Sequence, residues 1–359
     1  MAVAGGDVPL LKPDGVPYVF GRESEETPPI VAIGDLHGNL RAFLSILVNT
    51  GLIDQNANWI GGKTHLVIDG DAIDGQHHAL PIIDLMMKLE KQAQKAGGNL
   101  HFNLGNHEVL ALMGANKKDL DTAQEMLLED DENYQHTSEE DRAAFQNAKL
   151  PQVKWLMNRN MATVIGEFIF VHAGLEDADP NDPSPIDIKR LGEWNSTARA
   201  WFRSKILGIR KPPAPMGFVV GLNKKGKFDH DTGPAFTRFY KISFDHDSGA
   251  PVDERDDDGP KKRKIQKTLD RLDAKYLVVG HAPNKDGGIH AQPYYSDKGN
   301  VIVIDSHMAF GGKPTAMIYD PSGDRVYLTE ISPTINKSVV DKLFSVLTKN
   351  EPISCEELF

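Results

Sequence analysis

Five apolar runs in this chain each end in a glycine-flanked polar cluster, and helical periodicity separates the first three. They read "IVAIGDLHGN", "HLVIDGDAIDG", "LHFNLGNHE", "FIFVHAG" and "YLVVGHAP". After the first, Leu40, Phe43, Leu44 and Leu47 recur at helical spacing, and after the second, "ALPIIDLMMKLEKQAQK" is closed by Gly97 and Gly98, a helix stop. This strand–helix–strand alternation predicts an α/β fold with a parallel core, in which the loops after the strands converge on one crevice.

The remaining chain is arranged around that core. Residues 1–27 are rich in Gly, Pro and Glu and predict a flexible N-terminal arm. Residues 114–150 are helical and polar, with a capping box from Thr137 to Glu140, and predict an insertion. "MATVIGEFIFV" predicts a strand pair, and "IDIKRLGEWNSTARAWFRSKIL" a helix whose Trp194 and Trp201 are packing residues. The basic run Lys261 to Lys264 follows Pro260, which suits the first turn of a helix better than a targeting signal. "TAMIYDPSGDRVYLTEI" predicts a hairpin turning at Pro321 to Asp324. We therefore expect one domain over 28–332, the one that carries the five clusters, and an amphipathic helix within 333–359.

Composition narrows the function. With 40 basic against 51 acidic residues the net charge is −11, which argues against a nucleic-acid partner. A phosphorylated substrate stays admissible, since bound cations can outweigh the global field. Cys355 is the single cysteine, so no disulfide framework exists within the chain. No stretch reaches the roughly 18 apolar residues of a membrane span. A cytoplasmic protein without a membrane partner is the expectation.

The clusters themselves carry chemistry. Asp35 and His37, Asp71, Asn106 and His107, His172, and His281 all fall immediately after apolar strands. Gathering several imidazoles and carboxylates in one place is costly unless cations compensate them. Carboxylate, imidazole and carboxamide donors without thiolate suit Mn²⁺, Fe or Zn²⁺. A near-complete set of six donors suggests two divalent metal ions sharing a bridge, an arrangement suited to phosphate-ester hydrolysis.

The order GDLHGN, GDAIDG, GNHE, VHAG, VGHAP resembles the metallophosphoesterase superfamily, and more narrowly the phosphoprotein phosphatases. "GNHEVLALMG", "GPAFTRFY" and "IDSHMAFGG" are similar to their bacterial-like, Shewanella-like branch. The resemblance covers about residues 28–330. It implies a calcineurin-like β-sandwich flanked by helices, with Asp35 and His37 holding one metal, Asp71 bridging, and Asn106, His172 and His281 completing the second site. It further implies that His107 protonates the leaving oxygen, held by Asp74, while a metal-bridging hydroxide attacks the phosphorus directly.

The sequence departs from that family at the phosphate clamp: Gly75 and Gln76 stand where Arg-Gly is the family pattern. Arg238 is the candidate replacement, with Asn106 beside it on the substrate side; His77, His78 and His307 are further histidines near the gap or the pocket. The leading expectation is a metal-dependent phosphatase acting on phosphoserine and phosphothreonine in a protein substrate, with phosphotyrosine made admissible by the missing arginine. A small-molecule phosphoesterase, such as a dinucleoside polyphosphate hydrolase, and a non-catalytic phosphatase-like scaffold are the alternatives. Phosphatases of this type occur as housekeeping enzymes and as proteins that bacteria deliver into host cells, and the sequence favours neither.

Overall fold

The computed structural model describes residues 15–21, 26–113, 149–175, 185–204, 219, 233–237, 243–244, 251–252, 260–281, 300–332 and 334–348. Two five-stranded sheets dominate them. One holds β2 (Ile30–Ile33), β3 (His65–Ile68), β4 (Asn99–Phe102), β11 (Thr315–Asp320) and β12 (Arg325–Glu330), in the order β12-β11-β2-β3-β4. The other holds β1 (Val19–Phe20), β5 (Ala162–Ile165), β6 (Phe168–Val171), β9 (Tyr276–Val279) and β10 (Asn300–Val303), in the order β1-β5-β6-β9-β10. A short pair, β7 (Ser243–Phe244) and β8 (Pro251–Val252), stands apart from both.

The apolar runs are continuous because each strand is covered on both faces. Ile30, Ala32 and Val67 turn inward and meet Phe168, Phe170, Val278 and Ile302 of the opposite sheet. Their neighbours Val31, Ile33, Leu66 and Ile68 join the larger core, which includes apolar residues of α1 (Leu40–Asn49) and α2 (Ala79–Lys95). Period-two alternation thus builds a sandwich interior and a helix-covered exterior from the same strands. The Asn39 side chain starts α1 by accepting the Ala42 N–H at 3.0 Å.

The parallel core expected from the alternation is present but bounded. β2, β3 and β4 run parallel, as do β6, β9 and β10. β11 joins β2 antiparallel, and β5 joins β6 antiparallel, so both sheets are mixed. For β5 the cause is local, since the short turn before β6 leaves no room for a crossover and returns the chain antiparallel. The crevice accordingly lies at the strand ends of two facing sheets rather than one.

The other helices are α3 (Asn106–Met113), α4 (Pro151–Leu156), α5 (Ile188–Ser204), α6 (Pro260–Arg271) and α7 (Lys337–Leu347). Trp194 and Trp201 of α5 are buried core residues, and Pro260 opens α6. α7 packs on α1, where Arg41 pairs with Asp341 and stacks 4.3 Å over the Phe344 ring. Part of the expected loose arm is structured: β1 pairs with β5, and Phe20 packs edge-on against His101 at 4.5 Å. Its aromatic and β-branched residues supply what the Gly- and Pro-rich surroundings concealed. The expected insertion lies outside the described residues, except Lys149 and Leu150. No helix among the described residues is long and apolar enough to cross a membrane.

Candidate metal centre

The loops after β2, β3, β4, β6 and β9 bring eight of the nine candidate residues together; Arg238 lies outside the described residues. Oδ2 of Asp71 is the common point. It lies 3.3 Å from Nε2 of His172, and 3.8 Å from Nε2 of both His37 and His107. Two donors held about 2.1 Å from one ion are separated by about 3.0–3.4 Å at octahedral or tetrahedral angles, so these spacings are close to those of a metal site.

Around that oxygen the side chains form two groups. Asp71, His172 and His281 present donor atoms all within 4.8 Å of one another. Asn106 belongs with them, its Oδ1 3.0 Å from both His172 Nε2 and His281 Nδ1. His37, Asp71 and His107 form the other group, also within 4.8 Å. Asp35 borders it, with Oδ2 3.8 Å from His37 Nε2, and accepts the His281 N–H at 3.1 Å.

Second partners orient these rings. His172 Nδ1 lies 2.7 Å from the Asp69 carbonyl, and His281 Nε2 lies 3.1 Å from that of Phe236. A carbonyl can only accept, so those nitrogens donate and the opposite ring nitrogens are the ones turned to Asn106 and Asp71. His107 uses Nδ1 to bond Asp74 Oδ2 at 2.9 Å, leaving Nε2 turned to the centre. Beneath the site, Asn103 donates to Asp69 at 2.7 Å and accepts from Thr163 at 2.8 Å, joining the two sheets.

The electrostatics are those of a charged cluster removed from water. Burial, then Asp305, pushes the Asp35 carboxyl well above the usual carboxylate range. Burial lowers His37 to about 4. For His107 burial opposes the proton, but Asp71 and the Asp74 hydrogen bond outweigh it and raise the imidazole to about 9. For His172 burial is likewise outweighed, by Asp71 and Asp35, and the ring is held well above its ordinary value.

The donor set fits divalent cations. Asp35, Asp71, Asn106 and His172 are almost wholly buried, and Asn106 Nδ2 has no hydrogen-bond partner among the described residues. Buried carboxylates, imidazoles and one carboxamide oxygen converging within coordination range make a nitrogen and oxygen site with no sulfur.

Backbone strain is concentrated here. His37, Asp71, Asp74, His281 and His307 all adopt left-handed φ, between 43° and 68°. Such conformations disfavour residues with a Cβ and persist where their surroundings over-determine them. The loops also touch backbone to backbone: a Cβ on Gly70 would fall 2.8 Å from Gly105 Cα, and one on Gly105 would fall 2.6 Å from Asp71 N.

At the missing clamp, Gly75 is buried without a side chain, and Gln76 donates to the Ala309 carbonyl at 2.8 Å. Asn39 grips the same turn through the Met308 carbonyl at 2.8 Å. His77 is exposed, whereas His78 packs edge-on against Phe344 at 5.0 Å. His307, half-buried, starts the 308–310 turn, and its N–H bonds Asp305 at 2.9 Å. Sequence reasoning passed over three buried acids, Asp69, Glu108 and Asp305. Asp305 repeats the pattern of an acid after an apolar strand, and Glu108 follows Gly105 by three, the capping-box spacing.

A family model described as calcineurin-like phosphoesterase matches residues 28–285. Shewanella-like protein phosphatase 1 of Plasmodium berghei is 29% identical over 286 residues, covering 78% of this chain and 67% of that protein. Shewanella-like protein phosphatase 2 of Arabidopsis thaliana is 39% identical over 90 residues, 25% of this chain and 23% of its own. Among solved structures, the cold-active protein-tyrosine phosphatase of a psychrophile Shewanella species superposes with a TM-score of 0.57 at 20% identity. It covers 88% of this chain and 83% of its own.

Proposed function

This chain belongs to the calcineurin-like phosphoesterase family, and on that premise we propose that it is a two-metal protein phosphatase. The observation that carries the reading is the placement of one Asp71 oxygen within 3.8 Å of His37, His107 and His172. Asp35 and His37 would hold one ion, Asn106, His172 and His281 the other, and Asp71 both. The ions would polarise the phosphoryl group and lower the pKa of a water between them.

The chain's own residues do the rest. Asp74 accepts from His107 Nδ1, fixing the tautomer and aiming Nε2 at the centre. His107 is thereby poised to give a proton to the oxygen that leaves phosphorus, and a proton donor in that position is worth about 10²–10⁴ in rate. Manganese is the leading choice of ion, with iron or zinc as the other borderline cations this donor set accepts.

A phosphorylated protein is the proposed substrate, supported by relatives named protein phosphatases. Gly75 and the engaged Gln76 favour a phosphate pocket open enough for phosphotyrosine beside phosphoserine and phosphothreonine, and the similar structure named a protein-tyrosine phosphatase points the same way. The test is a panel of phosphoserine, phosphothreonine and phosphotyrosine peptides with diadenosine tetraphosphate alongside. Release of phosphate from the peptides supports the reading. Preference for the dinucleotide would replace it with a small-molecule phosphoesterase, and inertness towards every substrate with Mn²⁺ present would favour a scaffold.

A further inference from the structure

Glu108 is fully buried at the start of α3, yet its carboxylate reaches well beyond its own helix. Oε2 accepts the backbone N–H of Asp71 at 2.9 Å and of Gly105 at 3.0 Å. Oε1 accepts those of Ala72 at 3.0 Å and Ile73 at 3.2 Å. Both oxygens are therefore filled by backbone donors, three of them from the loop after β3.

The Gly105 bond alone would be helix capping, an acid at the third helical position reaching back to the residue before the helix. The other three bonds cap nothing. They gather consecutive N–H groups of a loop whose Asp71 and Asp74 are both left-handed, with φ of 49° and 68°. That conformation crowds the Cβ against the following carbonyl and is disfavoured for residues other than glycine. Leaving buried backbone N–H groups unpaired is costly, so four of them gathered on one carboxyl group can hold that geometry. The reverse contact completes the lock, since the His107 N–H donates to Asp71 Oδ1 at 3.0 Å. With Oδ1 thus occupied, Oδ2 is the oxygen left facing His37, His107 and His172.

We infer that Glu108 is a positioning residue, which holds the Asp71–Ile73 backbone so that Asp71 presents one oxygen to both halves of the centre. The inference about metal rests on the two-metal reading above, whereas the inference about the loop does not. The four bonds of Glu108 all go to backbone N–H groups, so its effect on the centre runs through the loop that carries Asp71.

The test is the Glu108→Gln variant of the full chain, which keeps the size but turns an amide donor towards two backbone donors. Two readouts apply: amide hydrogen exchange of the metal-free protein, and Mn²⁺ binding by calorimetry. Exchange at Asp71 to Ile73 is expected to accelerate at least about tenfold while β3 keeps its wild-type protection, and Mn²⁺ affinity to fall about 10–100-fold, the range for outer-shell partners. A merely structural cap would instead loosen α3 and leave Asp71 to Ile73 unchanged, which would overturn the proposal, as would wild-type Mn²⁺ affinity in the variant. Should the Gln variant not fold, Glu108→Asp retains the charge but is too short for all four bonds. It must then show the same local exchange, and wild-type protection at Asp71 to Ile73 in that variant overturns the proposal equally. If the wild-type chain binds no Mn²⁺, the two-metal reading fails, and the loop's exchange alone decides the role of Glu108.

Discussion

Nδ1 of His107 lies 2.9 Å from Oδ2 of Asp74, joining the first turn of α3 to the loop after β3. Both side chains are buried, so the bond is shielded from competing water. The same imidazole points Nε2 at Asp71, 3.8 Å away. One ring therefore links an orienting acid to the donor cluster, the relation a proton donor beside a metal centre needs.

His107→Asn should lower kcat by about 10²–10⁴-fold with KM little changed, because the lost proton transfer belongs to the transition state. Asp74→Asn should cost less, since the ring remains but its tautomer and charge lose support. Steady-state kinetics on an aryl phosphate at saturating Mn²⁺ decides it. Near-wild-type kcat in His107→Asn would remove this residue from the reaction.

A second histidine pair governs stability rather than chemistry. His65 Nδ1 lies 2.9 Å from His101 Nε2 between the sheets, with Phe20 against both rings. Burial lowers His65 to about 4 and His101 well below its ordinary value. Above the ordinary value near 6.5 neither folded nor unfolded chain binds the proton, and the contribution to stability is full. As pH falls from there towards 4 the unfolded chain takes up protons that the folded one refuses, so stability drops with pH. For His65 the loss between pH 7 and pH 5 is about 1–2 kcal/mol. Urea unfolding at the two pH values should show a smaller loss in His65→Gln than in wild type. An identical loss would mean that this pair titrates like exposed imidazoles.

Gly105→Ala should destabilise the chain by about 1–3 kcal/mol, the usual range for overpacking. The new Cβ would lie 2.6 Å from Asp71 N, so the variant should also bind Mn²⁺ more weakly than its stability loss explains. Unfolding and calorimetry on the same preparation test both halves. Unchanged values would show that the two loops yield freely.

Much of this arrangement was legible in the sequence because strand ends are marked by chemistry. Apolar runs closing on Gly-Asp, Gly-Asn-His or Gly-His announce both a buried strand and a polar loop, and the site residues from Asp35 to His281 are named by that pattern. What stayed hidden depends on contacts distant in sequence. The short β1 depends on β5 and on the His65–His101 pair for its place. The antiparallel joining of β11 to β2 follows from packing that no local periodicity encodes. Glu108 closes the GNHE motif in the sequence, and its bonds to Asp71, Ala72 and Ile73 emerge only when the two loops meet. Gln76 reads as a lost clamp in the sequence, whereas in the fold it fastens the 308–310 turn.

The most direct test of the account is phosphate release from a generic aryl phosphate by the purified chain, stripped of metal with a chelator and then titrated with Mn²⁺. The centre built on Asp71 predicts no release from the stripped protein, release that rises with Mn²⁺, and renewed loss on chelation. Release that persists in excess chelator, or that never appears with Mn²⁺, iron or zinc, would contradict it.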